Sequence, residues 1–154
     1  MSPGRRRPGR GQPGDGSEHE TWRGLADEST SRWRAQVLDR HEPSYWLRRA
    51  IAAALTPRRG EACLHADTAG WMVTAVWTPG RFVCGGCTAL LVPPPADDLI
   101  CDRCGGDSRE HGITLLIARY TIPLAFDDAP PRPRTVDVWT GLCRECATRE
   151  GVPA

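Results

Sequence analysis

The stretch CDRCGG at residues 101–106 sets two cysteines three positions apart, with a glycine pair directly behind the second. The same spacing occurs earlier as CGGC at 84–87 and later as CREC at 143–146. The seventh cysteine, Cys63, has His65 two residues on. Side chains alternate along an extended segment, so Cys63 and His65 point to one side and reach one metal. The chain thus offers four ligand pairs: Cys63 and His65, Cys84 and Cys87, Cys101 and Cys104, Cys143 and Cys146. Tetrahedral zinc takes four Cys or His ligands, so the expected cofactors are two Zn2+ ions. His111, next to Gly112 in a turn, is the alternative eighth ligand, and His19 and His41 fall outside this region.

An odd number of cysteines cannot all pair as disulfides, and regular Cys-x-x-Cys spacing in a chain without a secretory signal favours metal over disulfide chemistry. Iron–sulfur ligation is the main rival, because four thiolates also hold clusters. The histidine favours zinc. A thioredoxin-like redox pair is a weaker alternative, since no βαβ pattern surrounds any of the pairs.

Four pairs can be matched in three ways, and local order favours consecutive matching. Cys63, His65, Cys84 and Cys87 then form one site, and Cys101, Cys104, Cys143 and Cys146 the other. In the second unit the glycines after Cys104 permit a left-handed turn. Two strand-like stretches follow, ITLLIARYTI at 113–122 and TVDVW at 135–139, joined by the loop DDAPPRPR at 127–134. Cys143 and Cys146 then fall on a turn entering a short helix, whose N-terminus favours thiolate. Knuckle, hairpin and ligand-bearing helix start resemble the treble-clef zinc finger. The first unit repeats the plan with WMVTAVW at 71–77, a turn at Pro79-Gly80 and FVCGGCTALL at 82–91. Its helix is stopped by Pro93, which brings it closer to a zinc ribbon. Alignment of Phe82-Val83-Cys84 with Gly141-Leu142-Cys143 suggests a tandem duplication. The resemblance covers about residues 61–150 and implies architecture, not activity.

The remaining chain divides by composition. Residues 1–20 are rich in Gly, Pro and Arg without an apolar pattern, and are expected to be a disordered tail. Residues 21–60 read as a helical unit. Trp33, Val37 and Leu38 fall at helical spacing over 29–40, with Ser29 or Ser31 as cap. SYWLRRAIAAAL at 44–55 aligns Leu47, Ile51, Ala54 and Leu55 on one face, and Thr56-Pro57 ends it. Residues 61–154 form the tandem zinc-binding module. The fold class expected is α+β: a small N-terminal helical unit followed by a zinc-ribbon/treble-clef module with short antiparallel hairpins. On this reading loss of the second metal unfolds the second unit while helix 44–55 persists.

Function is narrowed by exclusion. The N-terminal Arg residues precede no apolar stretch, so no signal peptide is read, and a cytoplasmic location is expected. The longest apolar run is too short to span a bilayer. Eight protein ligands leave no open metal position for catalysis, and H-E-x-x-H and the deaminase signature are absent. The protein is therefore expected not to be an enzyme. Charge is uneven: residues 1–60 hold twelve Arg against seven acids, and residues 61–154 hold eight Arg against twelve acids. An acidic module is repelled by a phosphate backbone. The leading expectation is a zinc-stabilised adaptor that contacts another protein. The alternative is a DNA- or RNA-binding regulator acting through Arg5, Arg6, Arg7, Arg48, Arg49, Arg58 and Arg59 in the basic half. Trp71, Trp77 and Trp139 are either interface anchors or filling for the thin core of the zinc half, with core filling favoured.

Overall fold

Two segments rich in β-branched residues, Ile113–Leu124 and Arg132–Leu142, pair antiparallel over eleven positions from Thr114↔Leu142 to Leu124↔Arg132. This hairpin is the spine of the protein. In a computed structural model, which describes the backbone of residues 33–37 and all of residues 42–93, 97 and 99–152, the chain runs β1 (Trp33–Val37), α1 (Tyr45–Ala54), β2 (Trp71–Ala75), β3 (Thr78–Cys84), a 3₁₀ helix (Gly85–Leu91), β4 (Ile113–Leu124), β5 (Arg132–Leu142) and α2 (Arg144–Arg149). The five strands form one sheet in the order β1-β4-β5-β2-β3. β2 and β3 form a second, shorter antiparallel hairpin, and β2 joins the first hairpin by running parallel to β5.

The strand register places the ligand pairs. Trp71 lies level with Thr135, and Cys84, at the end of β3, is paired with Met72. Cys143 follows β5 directly, eight residues beyond Thr135. At about 3.3 Å per strand residue, the two cysteine regions lie roughly 25 Å apart at opposite ends of the sheet.

Period-two alternation sorts the side chains into two layers. Met72, Val136, Val138, Leu142, Leu116 and Ala118 face the helices and pack with Leu47, Ile51 and Ala54 of α1 and with Cys146 and Ala147 of α2. Val73, Ala75, Val83, Leu115, Ile117 and Trp139 pack on the other side with Leu91 of the 3₁₀ helix. The apolar face of α1 is the expected one. Ser44 caps it as expected, its hydroxyl accepting from the Leu47 amide at 3.2 Å. The Thr74 hydroxyl donates to the Ala54 carbonyl at 3.3 Å, so the sheet holds the last turn of the helix. α1 thus shares one core with the strands and the second cysteine cluster.

Several expectations are corrected. Residues 33–37 are a strand parallel to Ile113–Ile117, not part of a helix over 29–40. Trp33, Ala35 and Val37 also fit an alternating pattern, and pairing there covers the edge of β4, whose backbone groups would otherwise be left to water. Ser29, Ser31 and Leu38 lie outside the described residues, as do Arg5, Arg6, Arg7 and the tail 1–20. The first hairpin turns at Val76-Trp77 rather than at Pro79-Gly80, which fall inside β3. Gly80 adopts φ +82°, a conformation glycine tolerates, while its carbonyl accepts from the Arg58 amide at 3.0 Å. The second hairpin is long, because β5 begins at Arg132, within the stretch expected to be loop. The fold is thus a mixed α/β arrangement in which both hairpins belong to one sheet. The first unit does end in a short helix before Pro93, as a single 3₁₀ segment.

Candidate metal centres

The first centre is built on the edge strand. The segment before it lies beside β3: the Cys63 amide donates to the Phe82 carbonyl at 3.0 Å, and Ala62 bridges Phe82. The chain then turns, with the Ala66 amide donating to the Cys63 carbonyl at 3.0 Å. This loop is clamped by Arg134 of β5, a nearly buried side chain. Its guanidinium donates to the carbonyls of Ala66, Ala69 (2.6 Å) and Asp67 (3.3 Å) and lies 5.2 Å from the Phe126 ring centroid. On the other side, β3 ends at Cys84 and the 3₁₀ helix carries Cys87. Gly85 sits against Trp71 so closely that a Cβ there would come within 2.1 Å of the indole.

These elements bring Cys63, His65, Cys84 and Cys87 together, every ligand atom within 4.8 Å of the others. His65 Nδ1 stands 3.3 Å from Cys87 Sγ and 3.7 Å from Cys84 Sγ. A ligand tetrahedron with Zn–S bonds of about 2.3 Å has edges of about 3.7 Å, so the side chains have the spacing of a single four-coordinate metal. The Cys84 amide donates to Cys63 Sγ at 3.2 Å.

The second centre joins a knuckle to the end of the long hairpin. Cys101, Cys104, Cys143 and Cys146 again lie within 4.8 Å, and Cys104 Sγ is 3.9 Å from Cys143 Sγ. Gly105 has φ +68°, the left-handed turn expected behind the knuckle, and the Gly106 amide donates to Cys104 Sγ at 3.4 Å. Asp102 fastens the knuckle to β5: its amide donates to the Gly141 carbonyl at 2.8 Å, and its carboxylate accepts from the Gly141 amide at 2.5 Å. Burial, only partly offset by that hydrogen bond, pushes the Asp102 carboxyl up to about 6.

Ligand chemistry agrees with the spacing. In the first cluster, burial pushes Cys84 up, but hydrogen bonds from the Cys87 thiol and the Gly86 amide outweigh it and leave Cys84 below the ordinary thiol range. Cys87, which donates to Cys84, is partly desolvated and is repelled by the Cys84 charge, rises to about 11. In the second, burial raises Cys101, yet the amides of Cys104, Cys143 and Arg103 bring it below the usual value. Cys143 is raised by burial, and Cys146 is raised by burial and by hydrogen bonding to Cys143. Each cluster favours a thiolate and makes a further one costly, a conflict that a divalent cation resolves. Both sets can hold a metal ion.

The expected matching is the one the geometry brings together: each site takes two consecutive pairs, and His65 rather than His111 stands with the first. Trp139 is buried, Trp71 donates to the Asp137 carboxylate at 3.0 Å and Trp77 to the Leu91 carbonyl at 2.6 Å. All three pack in or against the second core layer, as filling rather than as free anchors. Arg48, Arg49, Arg58 and Arg59 are exposed, but Arg48 pairs with Glu42 at 3.6 Å, and Asp127 and Asp128 line one small pocket with Arg58 and Arg59. Sequence reasoning missed Arg134, Asp102 and Glu150. Arg134 lay in a stretch read as loop, and the other two act through partners about forty or more residues away.

The two clusters and the ordered hairpins fit a zinc-finger-like fold. Comparison with protein-family models, with curated proteins and with solved structures gives no match. No helix among the described residues is long and apolar enough to cross a membrane.

Proposed function

We propose that the protein is a non-catalytic adaptor whose fold is held by two structural zinc ions and whose surface contacts another protein. The observation that carries the zinc assignment is the tetrahedral spacing of four ligand atoms in each cluster. An iron–sulfur cluster with several irons has to sit between its thiolates, and ligand atoms within 4.8 Å of one another leave no such room. The histidine in the first set and the all-nitrogen-and-sulfur donors favour zinc over harder cations. Each site supplies all four ligands, as structural sites do, where a catalytic zinc keeps one position open. Each unit runs from a ligand pair through a hairpin to a ligand pair at a helix start, which supports the treble-clef resemblance.

The adaptor reading draws on charge. Four thiolates around one Zn2+ carry a formal −2 and three thiolates with one imidazole carry −1, in a half of the chain that already has more acids than Arg. Such a surface repels nucleic acid. Titration with duplex DNA at several salt concentrations tests this: an adaptor shows no steep salt-dependent binding, and a nucleic-acid regulator shows it.

A further inference from the structure

Among the described residues five large apolar side chains are exposed: Tyr45, Leu64, Leu90, Val92 and Ile100. Three of them, Leu90, Val92 and Ile100, line a single groove of about 520 Å3 between the 3₁₀ helix and the second cysteine cluster. Trp77, Leu91 and Ile113 also line it. Its size lies in the range of about 300–1,000 Å3 typical of ligand sites. Concentration of exposed apolar side chains in one concave place, ringed by polar groups, marks an interaction surface.

Charge says which kind of partner. Arg81 is the one cation lining the groove among the described residues, and Glu61 already neutralises it, at 2.8 Å to Nη2 and 2.9 Å to Nε. Asp97 and Asp102 also line it, and neither has a cationic partner within ion-pair distance among the described residues. Cys101 forms part of the wall, so the negative charge of a four-thiolate zinc centre adds to the field.

We propose that this groove docks a short segment of a partner protein in which apolar side chains alternate with arginine or lysine. The proposal rests on the adaptor reading and names its partner class. Leucine- or valine-sized side chains fill the apolar floor, and the cationic ones meet the exposed Asp97 at the rim.

The test uses the full, zinc-loaded chain labelled with 15N and three blocked tetrapeptides: leucine-arginine-valine-arginine, leucine-glutamate-valine-glutamate and serine-arginine-serine-arginine. The first should saturate shifts of the amides of Leu90, Val92 and Ile100 with a dissociation constant on the order of 100 µM, and each control should bind at least about tenfold more weakly. Leu90→Ser and Asp97→Asn, both exposed positions, should each weaken the first peptide about tenfold with zinc content unchanged. Asp102 is left intact because it fastens the knuckle. Absence of saturable shifts at the groove, or equal binding of either control, overturns the proposal. Duplex DNA added to the same samples separates the two failures. A silent groove with silent DNA removes this docking site alone, whereas steep salt-dependent DNA binding removes the adaptor reading and the proposal with it.

Discussion

The carboxylate of Glu150 and the hydroxyl of Ser44, 106 positions apart in sequence, meet at 2.5 Å. The same carboxylate accepts from the Ser44 amide at 3.1 Å and from Arg103 at 2.6 Å, and the Arg103 guanidinium lies 5.7 Å from the Trp46 ring centroid. Glu150 closes α2 and Arg103 lies between Cys101 and Cys104, so one buried carboxylate ties the N-cap of α1 to both halves of the second centre. Glu150→Ala leaves Arg103 without its carboxylate and frees the cap. Removing one partner of a buried pair costs about 3–5 kcal/mol. Denaturant unfolding should show a loss near the lower end of that range, because Arg103 keeps partial solvent access.

Arg134 gives a second test. Its guanidinium satisfies three carbonyls of the loop that follows His65. Arg134→Ala should destabilise the protein by roughly 1–3 kcal/mol, since the buried Ala66 carbonyl and the half-buried Ala69 carbonyl lose their donor. The effect should be local: competition with a chelator should show weaker metal binding at the first centre and an unchanged second centre.

Gly85→Ala sets a methyl group against the Trp71 indole, which must move. Trp71 is anchored by its hydrogen bond to Asp137, which is held by Arg119 at 2.7 and 2.9 Å. Overpacking of this kind costs about 1–3 kcal/mol. The expected signature is lower thermal stability with a changed tryptophan emission spectrum.

The site was legible where chemistry dictates spacing. Cys-x-x-Cys and Cys-x-His patterns are local, so the two Cys/His groups that the fold brings together, and their consecutive matching, could be read directly. Helix 44–55 was legible because its cap and its apolar face agree. Strand order was not. Nothing local indicates that β2 runs parallel to β5 or that the two hairpins merge into one sheet. Residues 33–37 fit both a helical and an alternating period, and pairing with β4 decided between them. The roles of Arg134 and Glu150 exist only once distant segments are packed together, and no spacing rule encodes them.

The same packing changes what metal loss should do. Leu47, Ile51 and Ala54 of α1 share a core with Cys101 and Cys146. Cys104→Ser and Cys146→Ser should therefore both release the second metal and also loosen α1, seen as a drop in helical circular dichroism. His65→Ala should weaken the first centre and leave the second metal bound. Release of the first metal by Cys104→Ser, with the second retained, would show that the ligand sets interleave.

Metal content measured by native mass spectrometry, on protein purified without added metal, tests the central claim most directly. The expected mass increment is that of two zinc ions per chain, falling to one in His65→Ala and in Cys146→Ser. A single metal per wild-type chain, or iron with visible absorption, would contradict the two-zinc account.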